Sequence, residues 1–167
     1  KFSKVSELKL KPLRKIEFDS NFSEFNRLIK IKKDVSDKYF FVTNNGRWTG
    51  FVDENILKTV SIKKWERTFV GDFKKSIDSF VSVSYNDKLW KTIERIEETS
   101  DGFLLVLNSA DIPLGIIDRS KIGNFVLNKL GFNLPSEIIN KLNFKNYYPL
   151  GIELPRIINS MKQKGDL

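Results

Sequence analysis

The chain predicts an α/β protein of two β-α-β-β-α units related by a pseudo-twofold axis, followed by a helical C-terminal extension. Three observations carry this. Residues 5–57 read over again at 70–122 without a gap, so that Gly50 answers Gly115 at an offset of 65 positions. That offset pairs apolar with apolar: Phe18 with Val83, Phe25 with Trp90, Leu28 with Ile93, Ile31 with Ile96, Val42 with Leu107 and Phe51 with Ile116. Within each copy the hydrophobic period switches from strand to helix spacing and back. A repeated unit this small does not bury its apolar face alone, so the copies are expected to lean on each other.

The first unit opens with a short strand at Ile16-Glu17-Phe18, broken by Asp19-Ser20-Asn21. Phe22, Phe25, Leu28, Ile29 and Ile31 then recur at helical spacing, with Asn21 as N-cap and Glu24 as its reciprocal partner. Tyr39 to Val42 is a continuous apolar run, the mark of a central strand covered on both faces. Asn44-Asn45-Gly46 makes a hairpin turn, because Asn and Gly tolerate positive φ, and Trp48 to Val52 returns. Asp53 opens a short helix through Leu57.

The second unit repeats the order: strand Val81 to Val83, a helix starting at Asn86, strand Phe103 to Leu107, return strand Ile112 to Ile117, and a helix from Asp118 to about Lys129. Pro113 predicts an edge position for the return strand. Short helices precede both units, near Val5 to Leu8 and Val70 to Phe73, and Trp65 in the link is placed between the units. Gly131 ends the repeat. Beyond it, Pro135 and Glu137 start a helix with Ile138, Ile139 and Leu142 on its apolar face. Tyr147-Tyr148-Pro149 interrupts, Pro155 starts a last helix with Ile157, Ile158 and Met161, and the polar tail from Lys162 frays. The expected domains are 1–65, 66–130 and 131–167.

The 167 residues carry a formal charge of +8, which favours an acidic partner: nucleic acid, an anionic membrane surface or a phosphorylated ligand. The basic residues are scattered in pairs along the chain (Lys32-Lys33, Lys63-Lys64, Lys74-Lys75), a pattern that also serves solubility. The chain has no Cys and no His, which removes thiol nucleophiles, thiolate metal sites and imidazole bases. Glu94, Glu97, Glu98 and Asp101 lie on the polar side and end of one helix and read as solvated. No glycine-rich nucleotide fingerprint is present. Phe22, Phe25, Phe40, Phe41, Trp48 and Trp90 fall at core-facing positions, against the exposed aromatic platform of a single-strand nucleic-acid binder. No stretch approaches the roughly 20 apolar residues that span a bilayer. The chain begins at Lys1 and its only methionine is Met161, so it is expected to be an excerpt of a longer polypeptide.

Two β-α-β-β-α units, each closing on Gly-Phe-Val-Asp (50–53) or Gly-Ile-Ile-Asp (115–118) before a helix, resemble a tandem pair of cystathionine-β-synthase (CBS) domains, a Bateman module, over about residues 5–130. The resemblance implies a regulatory attachment that dimerises and whose clefts can hold adenosine-containing ligands. The stretch Tyr39 to Val52, Trp65 in the link and Leu114-Gly-Ile-Ile also look like the cytosolic C-terminal part of site-2-type intramembrane zinc metalloproteases. That implies a parent enzyme with zinc on a His-Glu-x-x-His helix outside this chain, and a location on the cytoplasmic face of a membrane. The fragment itself then needs no cofactor and performs no catalysis.

Ligand-binding CBS motifs end Gly-h-h-Thr/Ser-x-x-Asp, with h apolar; the hydroxyl sits by the phosphate and the Asp accepts from the ribose. Here Asp53 and Asp118 stand at the hydroxyl positions, and Ile56 and Lys121 at the ribose positions. A carboxylate facing a phosphate repels it by on the order of 1–4 kcal/mol at contact. Weak or no adenosine-nucleotide binding by the usual route is therefore expected. Asp53 and Asp118 read first as N-caps. Arg119 and Lys121 read either as a solvated helix face or as a site for an anion in the second cleft. Gly50 and Gly115 read as close backbone packing, with space for a ligand as the alternative. The expectation is a non-catalytic regulatory or assembly module, partnered by a second copy and by its covalently linked parent. A basic nucleic-acid-binding module is the alternative, and it would require a contiguous basic face and a steep salt dependence.

Overall fold

The computed structural model of the chain describes residues 3–31, 35–133, 135–138 and 154–164. The chain divides into two compact units, Leu13–Phe80 and Lys1–Pro12 with Val81–Leu167, each carrying one three-stranded sheet. The α/β class with two β-α-β-β-α repeats is as the sequence predicts, although the last helix of the first repeat is a 3-10 helix.

In the Leu13–Phe80 unit, β1 (Lys15–Glu17) runs parallel to β2 (Tyr39–Asn44), and β2 runs antiparallel to β3 (Arg47–Asp53). Between the parallel strands lies α1 (Phe22–Ile29). It starts as expected at a capping box: Asn21 Oδ1 accepts from Glu24 N at 2.9 Å, and Glu24 Oε2 accepts from Asn21 N at 3.0 Å. The hairpin turn holds Asn45 and Gly46 at φ 50° and 76°, the left-handed pair that matches strand twist. The central strand β2 buries Phe40, Phe41 and Val42 together, as its unbroken apolar run requires. Phe40 and Val42 pack with Phe22, Phe25, Val52 and Val70, whereas the Phe41 ring meets those of Trp48 and Phe80. Leu28 and Ile31 depart from expectation, being 41% and 64% exposed. The helix ends at Ile29, and its inward line is Phe22, Phe25 and Ile29. Trp65 packs on this unit's own core, its Nε1 donating to Val60 O at 3.0 Å.

The other unit has the same plan, with β4 (Ser82–Ser84), α2 (Leu89–Glu97), β5 (Phe103–Leu107), β6 (Pro113–Asp118) and α3 (Arg119–Lys129). Pro113 opens the outer strand, as predicted. Further along, Lys11 covers that strand's edge: Lys11 N donates to Ile116 O at 2.8 Å and Ile116 N to Lys11 O at 2.9 Å. Gly131 ends α3 at φ 88°; Gly131 N reaches Asn128 O and Phe132 N reaches Leu127 O, a Schellman closure. Helix α4 (Leu154–Lys164) carries Pro155 in its first turn and Ile157 against the core. Ile138 N donates to Pro135 O, one turn of the expected helix, and Ile138 is exposed. Ile139, Leu142, Tyr147 to Pro149 and the end of the tail lie outside the described residues.

The repeat is not gapless. Val42 faces Gly50 while Val106 faces Gly115, so the central strands correspond at 64 positions, and Leu107 is not the counterpart of Val42. Ile16 faces Val42 and Val83 faces Val106, so the first strands correspond at 67. The difference is absorbed between helix and central strand, a longer connection after Ile29 than after Glu97. Asn86, expected to start the second helix, lies in a turn closed by Asp87 Oδ2, which accepts from Ser84 N at 2.9 Å. The helix begins at Leu89, whose N–H donates to Ser3 O at 2.8 Å. A distant backbone carbonyl replaces the local side-chain cap. Phe22 N is met the same way by Thr68 O. The leading segments thus serve sheets formed later or earlier in the chain, and this is why the compact units cut across the sequence repeat.

Candidate functional site

Both repeats pass through a glycine just before the strand-to-helix junction, and in both the reason is a crossing backbone. A Cβ on Gly50 would stand 2.3 Å from Lys75 O, and its φ is +156°. Lys75 is there because it exchanges both backbone hydrogen bonds with Phe51, at 2.9 and 2.8 Å. A Cβ on Gly115 would meet Lys11 O at 2.8 Å and Leu10 Cβ at 2.9 Å. The space beside each glycine is filled by backbone of its own unit.

Asp53 follows at the end of β3. Its Oδ1 accepts from Asn55 N at 2.8 Å, and its Oδ2 lies 3.4 Å from Lys75 Nζ. The carboxylate therefore opens the 3-10 helix Glu54–Thr59. Ile56, at the position where the resemblance puts a ribose acceptor, is a buried core residue.

Asp118 plays the same part more completely. Its Oδ1 accepts from Lys121 N at 2.8 Å and from the Ser120 hydroxyl at 2.7 Å, and Ser120 is buried. Asp118→Ala removes the cap and the bond from the Ser120 hydroxyl, so it is expected to cost about 1–2 kcal/mol. Asp118→Asn should recover most of that in a urea melt; equal melts for all three proteins would refute the capping role. Arg119 turns toward α2, with Nε 3.3 Å from Glu97 Oε1 and Nη2 donating to Ile96 O at 3.1 Å. It satisfies a carbonyl at the C-terminal end of that helix, where a cation also suits the dipole. The four residues singled out from sequence are thus not one constellation: Asp53 lies in one unit, Asp118 and Arg119 are engaged structurally, and Lys121 stands apart.

Lys121 lines a cavity of about 300 Å³ between α3 and the segment Glu7–Lys9 at the end of the 3-10 turn Val5–Glu7. Lys9 and Glu7 contribute from the segment, and Asn124, Phe125 and Asn128 from the helix. Glu7 Oε2 is 3.5 Å from Lys129 Nζ, in an exposed ion pair. Asn124 Oδ1 is buried and has no hydrogen-bond partner among the described residues. Sequence reading reached Lys121 but not Lys9 or Asn124. The available signal was the polar line Lys121, Asn124, Asn128 on a helix that otherwise buries Ile122, Val126 and Leu127. A second cavity of about 310 Å³ lies by Ser82, Arg95 and Asn108. There Arg95 Nη1 donates to Ser82 O, and Asn108 Oδ1 already accepts from Ala110 N and Ile112 N at 2.8 and 2.9 Å. Among the described residues no group of three or more His, Cys, Asp or Glu could hold a metal, and no helix is long and apolar enough to cross a membrane.

No family profile and no curated protein sequence matches the chain. Solved structures do. OpuCA of Staphylococcus aureus superposes with a TM-score of 0.52 at 18% identity, over 71% of this chain and 94% of that one. The CBS domain of a bacterial CNNM/CorC family Mg2+ transporter superposes with a TM-score of 0.53 at 12% identity, over 80% and 78%. A CBS domain pair/ACT domain protein of Thermotoga maritima gives 0.53 at 15%, over 77% and 99%. With strand order, crossovers and paired glycines in place, the chain has the fold of a tandem CBS pair.

Proposed function

We propose that this chain is a non-catalytic regulatory or assembly module, carried at the cytoplasmic face of a membrane by a larger, membrane-embedded protein. Its fold is that of CBS pairs, one of which belongs to a Mg2+ transporter. The parent read here is a site-2-type zinc metalloprotease, on the strength of the Tyr39 to Val52 stretch and Trp65. The observation that carries the regulatory reading is the use of both junction carboxylates as caps. Asp53 and Asp118 hold helix starts, and Ile56 fills the core where an acceptor would be needed. The module therefore works without adenosine nucleotide bound by the usual route. Any effector must bind one conformation better than another to shift the parent's activity.

Thermal melting with AMP, ATP, NAD and S-adenosylmethionine tests this. A binder at a hundredfold its Kd adds about 2.7 kcal/mol, a rise of roughly 5–10 °C for a chain of this size. None of the four is expected to move the midpoint; a rise of that size with any of them overturns the loss of the nucleotide site. The parent is tested in the full-length polypeptide. Chelator-sensitive cleavage whose rate changes when this module is deleted is expected, and cleavage indifferent to the deletion refutes the regulatory role.

A further inference from the structure

We infer that residues 3–11 are a coupling strap, through which the unit built on β4–β6 and the polypeptide that the regulatory reading joins ahead of Lys1 act on each other. The strap precedes the first repeat in sequence, yet it belongs to the second. Its two apolar anchors, Val5 and Leu8, are 0% and 6% exposed and lie in one core with Leu89, Ile93, Ile117 and Ile122. Its backbone is tied at both ends. Near its start, Ser3 O accepts from the N–H of Leu89, the first residue of α2, at 2.8 Å, and Val5 N donates to Asp87 O at 3.0 Å. At its far end, Lys11 exchanges two backbone hydrogen bonds with Ile116 on β6, and Gly115 lacks the Cβ that would drive Leu10 and Lys11 away. Lys129 adds α3, its Nζ donating to Ser3 Oγ and standing 3.5 Å from Glu7 Oε2. The strap therefore touches both helices and the outer strand of its unit. It cannot leave without exposing Val5 and Leu8 and freeing the first N–H of α2, so its parts open together. A shift of α2 or β6 must carry the strap, and a shift of the strap must carry them, with the same free energy in both directions. The strap also has room to shift. Its only regular structure is the 3-10 turn Val5–Glu7, Glu7 and Lys9 are exposed, and a cavity of about 300 Å³ lies between residues 7–9 and α3. Segments with few packed neighbours open before the whole domain does. The coupling role rests on the regulatory reading; the joint opening of strap, α2 and β6 does not.

Native-state hydrogen exchange of the chain tests the strap. It is read at the N–H groups of Val5, Leu89 and Ile116, which the strap makes or meets, and at those of Phe41 and Phe51 in the other unit as a reference. Leu8→Ala should speed exchange at Val5, Leu89 and Ile116 together, by about thirtyfold or more, the lower end for truncating a buried leucine. Phe41 and Phe51 should be unchanged. Leu8→Met should restore most of the protection. Lys129→Ala removes surface contacts to Ser3 and Glu7 and should give the same pattern at about threefold. This milder variant reads the same strap if Leu8→Ala does not fold. Separate responses at Leu89 and Ile116, or equal acceleration at the reference amides, overturn the strap as a piece that opens by itself. In the full-length polypeptide, Leu8→Ala and Lys129→Ala should shift the cleavage rate in the direction that deleting the module does. A rate that responds to the deletion but to neither variant overturns the coupling role and leaves the regulatory reading standing. A rate indifferent to the deletion and to both variants overturns both.

Discussion

Gly50→Ala is expected to lower the stability of the chain by about 2–4 kcal/mol. The added Cβ would lie 2.3 Å from Lys75 O, a contact with backbone that no rotamer change relieves. Lys75 cannot withdraw cheaply, because it is tied to Phe51 by two backbone hydrogen bonds. The φ of +156° adds a conformational penalty for any residue with a side chain. Two companions rank the causes. Gly115→Ala meets Lys11 O at 2.8 Å without a positive φ, and about 1–3 kcal/mol is expected. Gly46→Ala has nothing within 4 Å and only its φ of +76° to oppose it, so about 1 kcal/mol is expected. Urea melts should place the three midpoints in that order at unchanged slope. A Gly50→Ala midpoint indistinguishable from the parent's would mean that the Lys75 crossing is not a fixed part of the unit.

The features legible in the sequence are those decided by neighbours along the chain. The capping box at Asn21, the left-handed Asn45-Gly46 turn and the unbroken run of β2 each depend on a few adjacent residues, and each is found as read. The errors come from contacts between distant segments. Asn86 is a plausible cap until Ser3 O supplies one from the far end of the chain, and Asp87 takes over the turn. The gapless offset fails because strand register is set by pairing, and connections of unequal length can feed the same pairing. The candidate site divides along the same line. Asp53 and Asp118 were readable as caps, since their partners lie two and three residues on. Arg119 was not readable as a partner of Glu97, nor Lys9 as a neighbour of Asn124, because only the fold brings those residues together.

Phe25→Ala should cost about 3–5 kcal/mol, the range for truncating a fully buried phenylalanine. Phe25 is fully buried and meets the Phe40 ring edge-on, with centroids 5.0 Å apart at 85°. Phe40 is also covered by Arg14, whose guanidinium carbon stands 4.1 Å from the ring centroid. That guanidinium donates to Asp37 O at 2.7 Å and to Leu28 O at 2.5 Å, so it joins the end of α1 to the start of β2. Removing the Phe25 ring therefore opens a cavity between helix and sheet and frees one side of the ring that Arg14 covers. The neighbours cannot close the gap by sliding, since α1 is fixed at one end by its capping box and at the other by Arg14. Phe25→Leu keeps most of the volume and should lose well under half as much. A double-mutant cycle of Phe25→Leu with Phe40→Leu should return a coupling of about 0.5–1.5 kcal/mol for the edge-on pair. Additive losses would mean that the two rings contribute only as buried area, and a Phe25→Ala loss near 1 kcal/mol would mean that α1 is not anchored at both ends.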